Sequence, residues 1–78
     1  MKPKQPQIEC PVSWAEIPAW ANFITIDGDG EIDAWESQPE CYANNFWAPI
    51  KNEFNVTRVG YTTVNPEHVN TYIWQREN

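Results

Sequence analysis

Residues 20–36 read WANFITIDGDGEIDAWE, and here hydrophobic periodicity, turn chemistry and charge all indicate the same element. Two runs of strand-forming residues flank the sequence DGDG at positions 27–30. Asp-Gly pairs between such runs are typical of β-hairpins. The stretch therefore predicts a central hairpin over about residues 20–38 with an acidic tip, ended by Pro39.

The apolar pattern also predicts how the two strands pair. A type I turn over residues 27–30 with Gly30 in the left-handed conformation keeps apolar residues together on one face. A two-residue turn at positions 29 and 30 would instead pair Ile26 with Asp33. The first register is favoured, and its cross-strand pairs are Ile26 with Ile32, Ile24 with Ala34, and Phe23 with Trp35. It leaves an aromatic and acidic second face, made of Phe23, Thr25, Asp33 and Trp35.

The length of 78 residues is enough for one small domain. Hydrophobic residues make up 41% of the chain and aromatic residues 14%, so it has the apolar content to fold despite a formal net charge of −6. Residues 1–8 contain two Lys and two Pro and little that is apolar. We therefore expect a flexible tail over residues 1–8 and a single small domain over residues 9–78.

Two further elements are indicated on either side of the hairpin. Ser13 and Glu16 have the spacing of a capping box and predict a short turn that Pro18 ends. Residues 56–64 are almost all strand formers, with Gly60 marking a bulge or a close approach of backbone. Both elements are expected to pack with the hairpin.

The remaining segments complete the predicted architecture. Residues 46–50 indicate a short edge strand because Pro49 interrupts them. Residues 65–67, Asn-Pro-Glu, have the order of a helix start and favour a short C-terminal helix, although residues 71–74 are strand formers. The expected fold class is α+β, with a small antiparallel sheet of three to four strands built on the central hairpin.

Acidic residues are concentrated in one part of the chain. Between Gln5 and Ile50 there are eight of them and no Lys or Arg. They are Glu9, Glu16, Asp27, Asp29, Glu31, Asp33, Glu36 and Glu40. Such a surface repels nucleic acid and anionic membranes and attracts basic protein surfaces. We expect no direct nucleic-acid partner and no membrane partner, and a cytoplasmic location, since the amino terminus lacks the apolar core of a signal peptide.

Cys10 and Cys41 are the two cysteines. They could form one disulfide, but a cytosolic setting favours two reduced thiols. Without a nearby histidine or a C-x-x-C spacing they do not indicate a zinc site, and no cofactor is expected.

Calcium is an alternative ligand for the acidic turn. With Gly30 at the sixth position of an EF-hand loop, four carboxylates fall at or near ligand positions, and the weak alternative metal site is Asp27, Asp29, Asp33 and Glu36. An EF-hand needs a helix on each side, whereas Pro18 and Pro39 restrict both flanks. An acidic hairpin tip is therefore preferred.

Catalysis is not indicated by the sequence. A carboxyl acting as general acid needs a pKa raised by burial in a cleft, and the hairpin acids are expected to face solvent. His68 is the only histidine, and no nucleophile and base arrangement is visible. We expect no catalytic residues and no enzymatic activity.

Binding of a partner protein through the surface of the central hairpin is the favoured function. Tryptophan and tyrosine are common anchors of protein interfaces, and Trp35 lies between two acids. The residues expected to bind a partner are Phe23, Asp27, Asp29, Glu31, Asp33, Trp35 and Glu36.

Residues 20–30, followed by Ala34-Trp35-Glu36 and Pro39, resemble a group of small uncharacterised tailed-bacteriophage proteins. These proteins share a pattern of W-A-x-aromatic-Ile, D-x-D-G and aromatic-Glu-x-x-Pro. The resemblance implies a phage-encoded protein in the cytoplasm of an infected bacterial host. It implies no catalytic or binding residues.

The expected function is non-enzymatic binding of a host protein, as an inhibitor in host takeover or counter-defence, with DNA mimicry as one form. A basic or nucleic-acid-processing enzyme suits the acidic charge as partner. The alternative is a minor virion or assembly protein that self-associates. A weak cation- or carbohydrate-binding module ranks last.

Overall fold

The computed structural model describes residues 8–51 and 54–77. Its strands are β1 (Phe23–Ile26), β2 (Glu31–Trp35), β3 (Glu40–Tyr42), β4 (Phe46–Ala48), β5 (Val56–Tyr61) and β6 (Ile73–Gln75). Two 3₁₀ turns, η1 (Trp14–Glu16) and η2 (Pro66–Thr71), are the helical elements of these ranges. Within the same ranges no helix is long and apolar enough to cross a membrane.

The predicted central hairpin is the middle of a four-stranded antiparallel sheet with strand order β5-β2-β1-β6. Its register is confirmed, since Phe23 lies opposite Trp35, Ile24 opposite Ala34, and Ile26 opposite Ile32. The amide of Gly30 donates to the Asp27 carbonyl at 2.9 Å, and Gly30 has a φ of +88°. The turn is therefore the predicted one, with a left-handed glycine at its last position.

The predicted strand over residues 56–64 is present as β5, which ends at Tyr61. Its pairing with β2 shifts by one residue, because Gly60 lies opposite Ile32 while Arg58 lies opposite Asp33. The extra residue, Val59, makes the bulge that the glycine indicated.

A second hairpin, β3–β4, lies outside the four-stranded sheet. Residues 46–48 form a strand as expected, but their partner β3 comes from residues 40–42, for which the sequence predicted no strand. The amide of Asn45 donates to the Tyr42 carbonyl, and Ala43 and Asn44 both have positive φ, near 54° and 51°. Two left-handed residues in a row give the turn whose twist matches a tight hairpin.

The predicted C-terminal helix is wrong. Asn65 caps a helical start as expected, with its side chain accepting from the Glu67 amide at 3.0 Å, but the element is the 3₁₀ turn η2. It ends at Thr71, and β6 then pairs with β1. The strand-forming residues after Thr71 follow their own propensity because the edge of β1 offers them backbone hydrogen bonds.

The predicted N-terminal turn is present as η1, with a different cap. The Ser13 hydroxyl accepts from the Ala15 amide, while the Glu16 amide donates to the Ser13 carbonyl. Of the predicted tail, residues 1–7 lie outside the described residues. Ile8 is tied to the fold through its carbonyl, which accepts from the Trp74 indole at 3.2 Å.

Both faces of the central hairpin are buried. The apolar face, with Ile24 and Ile26 fully buried, also carries Trp74, which lies opposite Ile24. Because Trp74 bonds to Ile8, the N-terminal segment covers this face. The second hairpin is held at the turn end of the sheet by two bonds, from the Gly28 amide to the Asn45 carbonyl and from the Trp47 amide to the Asp27 carboxylate.

The turn geometry predicts a sharp contrast between two glycine substitutions. In Gly30→Ala, the new Cβ would overlap the Thr62 carbonyl oxygen in a backbone conformation that alanine disfavours. We expect a loss of about 2–3 kcal/mol or more in the free energy of unfolding, measured by urea denaturation.

Gly60→Ala is the matched control on the neighbouring strand. A Cβ there meets only the Ile32 side chain, at an ordinary 3.8 Å. Its unfolding free energy should stay within about 1 kcal/mol of the parent. Equal losses in the two variants would contradict the assigned role of the Gly30 turn.

Candidate functional site

The structure separates the residues predicted to bind a partner. Asp29 and Glu36 are exposed, and Asp27 and Glu31 are half-buried. The other three, Phe23, Asp33 and Trp35, are buried, with Trp35 only 4% exposed. The expectation that the aromatic and acidic face is open to a partner is therefore wrong for these three side chains, while the binding roles themselves stay predictions.

The cause is the position of the hairpin within the sheet. Because β5 and β6 flank it and its second face is covered, Trp35 has an internal partner. Its indole Nε1 donates to the Thr25 hydroxyl at 2.9 Å, and Thr25 is fully buried. The indole that was expected to anchor a partner instead links the two central strands.

Three carboxylates converge beside this core, and we call Asp27, Glu31 and Asp33 the carboxylate cluster. One oxygen from each lies within 4.8 Å of the others. Burial raises the pKa of Asp33 to about 7, helped by a hydrogen bond to Glu31 and by the nearby charges of Glu31 and Asp27. Burial also raises the pKa of Asp27, against the opposing effect of the Trp47 amide that donates to it.

The cluster can hold a proton at neutral pH. Asp33 is 7% exposed, so its charged form is poorly solvated, and a protonated Asp33 can donate to Glu31. Arg58 only partly offsets the negative charge, because its guanidinium is 3.9 Å from the Glu31 carboxylate and largely exposed. A proton shared between Asp33 and Glu31 reduces the repulsion among the three carboxylates, and this allows them to pack together.

The alternative calcium site is not assembled as the sequence suggested. Strands β1 and β2 flank the turn, so the helix-loop-helix of an EF-hand is excluded. Of the four proposed ligands, Asp27 and Asp33 come together, but with Glu31. The Asp29 carboxylate accepts from the Glu31 amide, and Glu36 accepts from the Asn55 side chain.

A cavity of about 240 Å³ opens at the other end of β2, away from the turn. It is lined by Trp35, Ser37, Gln38, Pro49, Ile50, Lys51 and Phe54. The ring of Phe54 lies 6.2 Å from the ring of Trp35, and both Ile50 and Phe54 are exposed. Trp35 is thus the buried floor of an apolar cavity with exposed walls.

A pair of exposed rings stands on the second hairpin, and we call Tyr42 and Phe46 the aromatic pair. Their centroids are 5.6 Å apart with planes 23° from parallel, and they are 41% and 44% exposed. The Tyr42 hydroxyl donates to the Glu40 carboxylate at 3.1 Å. That hydrogen bond, together with the negative charge of Glu40, raises the pKa of Tyr42.

The two cysteines, Cys10 and Cys41, are free thiols. Both are half-buried, and burial raises the pKa of each above its usual range. Raised values disfavour the thiolate, so neither cysteine has the character of a nucleophile.

Sequence reasoning missed most residues of the cavity and the stacking of Tyr42 on Phe46. A usable signal was present, because Ile50 and Phe54 are large apolar residues that belong to no alternating strand pattern. Such residues beside a break in a strand often line a surface cavity. For the aromatic pair, the missing step was the pairing of β3 with β4, which brings Tyr42 opposite Phe46.

Comparisons of this chain with protein-family models, with curated proteins and with solved structures find no match. The binding proposal that follows therefore rests on the chain's own residues and geometry, and its bacterial setting rests on the sequence resemblance alone.

The carboxylate cluster predicts an unusual dependence of stability on pH. An unfolded Asp titrates near 3.8, whereas Asp33 in the fold titrates near 7. Because the folded state holds this proton more tightly, the contribution of Asp33 to the free energy of unfolding is fully present below pH 4 and is lost as the pH rises through 7. The total loss is up to about 4 kcal/mol, of which roughly 2–3 kcal/mol falls between pH 5 and 8.5, where urea denaturation can measure it.

Asp33→Asn should flatten this dependence and exceed the parent's stability at pH 8.5, since the amide can donate to Glu31 without carrying a charge. Glu36→Gln is the control, because it removes one exposed carboxylate from the same hairpin. It should keep the slope of the parent. An Asp33→Asn protein with an unchanged slope would show that the cluster does not hold the proton.

Proposed function

We propose that this protein acts by binding another protein, a host protein in the cytoplasm of an infected bacterium, and that it is not an enzyme. The observation that carries the proposal is the apolar cavity with Trp35 as floor and with Ile50 and Phe54 as exposed walls. Apolar surface of this kind on a small acidic domain favours a partner protein that covers it.

The size of the cavity favours a side chain as its occupant. A drug-sized ligand needs a pocket of roughly 300–1,000 Å³. The volume here, about 240 Å³, is smaller and suits one large apolar side chain. Interfaces commonly depend on such anchors inserted into preformed cavities. The proposed occupant is therefore an apolar side chain of the partner.

The floor of the cavity is rigid before a partner arrives. Trp35 is fixed by its bond to Thr25 and by pairing with Val56 on β5. A preformed cavity avoids part of the entropy that is lost when flexible groups become ordered on binding. The exposed side chains of Ile50 and Phe54 add contact area, and the buried ring of Trp35 sets the shape of the cavity.

The charge of the chain favours a basic partner. The formal net charge is −6, and opposite charge accelerates encounter between protein surfaces. Imitation of an extended DNA duplex is less well supported, because the three acids of the carboxylate cluster are turned into the fold rather than spread over the surface. The resemblance to small tailed-phage proteins supports the bacterial setting of the proposal.

A non-enzymatic role is proposed although Asp33 has the raised pKa that a general acid requires. The carboxyl of Asp33 faces Asp27 and Glu31 and is not among the residues that line the cavity. A general acid or base must lie within hydrogen-bond reach of the atom it serves. The proton on Asp33 therefore serves the packing of the three carboxylates and not a reaction in the cavity.

The test is affinity capture from bacterial lysate, followed by mass spectrometry, at low and high salt. Ile50→Ser removes an exposed wall of the cavity, where the side chain is 61% exposed, and should leave the fold intact. We expect a basic host protein to be recovered by the parent and reduced about tenfold or more by Ile50→Ser. Recovery should persist at high salt, because an apolar anchor is not screened.

Tyr61→Ser is the matched control, since Tyr61 is equally exposed but does not line the cavity. It should recover the same host protein as the parent. Recovery of the host protein by Ile50→Ser at the parental level would overturn the cavity as the binding site. Recovery of nothing except further copies of the bait would favour the virion or assembly alternative.

A further inference from the structure

We propose that the aromatic pair and Glu40 form a receiving site for an arginine side chain of the partner protein. The inference deepens the proposed function, on which it rests, by naming the chemical group that the acidic surface recognises. It concerns side chains that do not line the cavity.

The three side chains share one face of the second hairpin. In the β3–β4 pairing Tyr42 lies opposite Phe46, and Glu40 is two residues before Tyr42 on the same strand. Side chains two residues apart on a strand point to the same side. Cys41, between Glu40 and Tyr42, and its partner Trp47 point to the opposite side of the hairpin, where Trp47 is buried. The hairpin thus displays two rings and a carboxylate on its outer side.

The outer face of the second hairpin is held in place through two consecutive residues of its turn, Asn44 and Asn45. The Asn44 side chain donates to the Glu67 carbonyl and accepts from the Asn70 amide, at 2.9 and 2.7 Å. The Gly28 amide donates to the carbonyl of the next residue, Asn45. Exposed aromatic rings on an anchored hairpin lose little freedom when they bind.

The charge pattern selects a cation as the occupant. The span from Gln5 to Ile50, which includes the whole second hairpin, contains no Lys or Arg. The two arginines of the chain already contact other rings, Arg58 with Tyr61 at 5.4 Å and Arg76 with Trp14 at 4.7 Å. Within the described part of the chain, the aromatic pair has no such cation of its own.

Arginine fits this site better than lysine. A planar guanidinium stacks on an aromatic ring and can offer two parallel hydrogen bonds to a carboxylate, whereas an ammonium group is a compact charge that holds its water more strongly. Glu40 has one oxygen engaged by the Tyr42 hydroxyl and presents its carboxylate beside the ring. The ring can stack on a guanidinium and the carboxylate can accept its hydrogen bonds, so the site offers both interactions.

The site and the cavity are close enough for one partner segment. Ile50 is four positions after Phe46 in the chain, so their Cα atoms are at most about 14 Å apart. An extended segment of about four or five residues can therefore place an arginine on the aromatic pair and an apolar side chain in the cavity.

The test is an NMR titration of the ¹⁵N-labelled protein with a decapeptide of alternating glycine and arginine, compared with alternating glycine and lysine. We expect the largest amide shifts at Glu40, Tyr42 and Phe46, and weaker binding of the lysine peptide. A protein carrying Tyr42→Leu and Phe46→Leu should bind the arginine peptide about five- to tenfold more weakly, as expected for loss of two exposed cation–π contacts.

The matched control is Tyr61→Leu, which removes an exposed ring outside the site and should bind like the parent. An unchanged indole signal of Trp47 verifies that the second hairpin of the double variant is folded. The inference is overturned if the double variant binds the arginine peptide as the parent does. It is also overturned if both peptides bind equally, with shifts spread over all the acidic residues, because that result indicates charge attraction alone.

Failure of this inference is distinguishable from failure of the proposed function. If lysate capture depends on Ile50 but not on the aromatic pair, the binding function stands and the arginine site falls. If capture recovers no host protein while the arginine peptide binds the aromatic pair, the site stands and the host-protein function falls.

Discussion

The left-handed conformation of Gly30 fixes the register of β1 against β2, and the other elements are placed relative to that turn. The Thr62 amide donates to the Gly30 carbonyl at 2.9 Å, which positions the end of β5. Asp27, at the start of the same turn, accepts from the Trp47 amide, and Gly28 donates to Asn45, which together position the second hairpin. A side chain at position 30 would enter the space occupied by the backbone of Thr62, directly after β5. The turn over residues 27–30 therefore constrains both the four-stranded sheet and the second hairpin.

The same arrangement explains why acids are found inside a domain this small. The Asp27 carboxylate replaces a backbone partner for Trp47, so it satisfies an amide that would otherwise be buried without a hydrogen bond. Its proximity to Glu31 and Asp33 is the consequence, and the raised pKa of Asp33 lets a proton relieve the repulsion. The cluster thus serves packing at neutral and lower pH, and it opposes folding as the pH rises.

The surfaces available for recognition lie on the peripheral elements. The central hairpin is flanked on both edges and covered on both faces, so its aromatic residues are used internally, Trp35 with Thr25 and Phe23 beside it. The aromatic pair belongs instead to the second hairpin, and the exposed walls of the cavity, Ile50 and Phe54, belong to the segments after β4 and before β5. This is the usual division between a scaffold that fixes geometry and connecting segments that contact partners.

The sequence by itself determined the central hairpin, its register and turn, and the excess of acidic charge, because each of these depends on residues close together in the chain. Only the tertiary structure decided that both faces of the hairpin are buried, since that depends on elements far from it in sequence, such as β6, which pairs with β1. The C-terminal segment follows the same rule, because its helix start and its strand formers are balanced locally and pairing with β1 decides between them. Trp35 therefore lies at the bottom of the cavity and is not an exposed anchor, because the burial of a side chain depends on the whole fold.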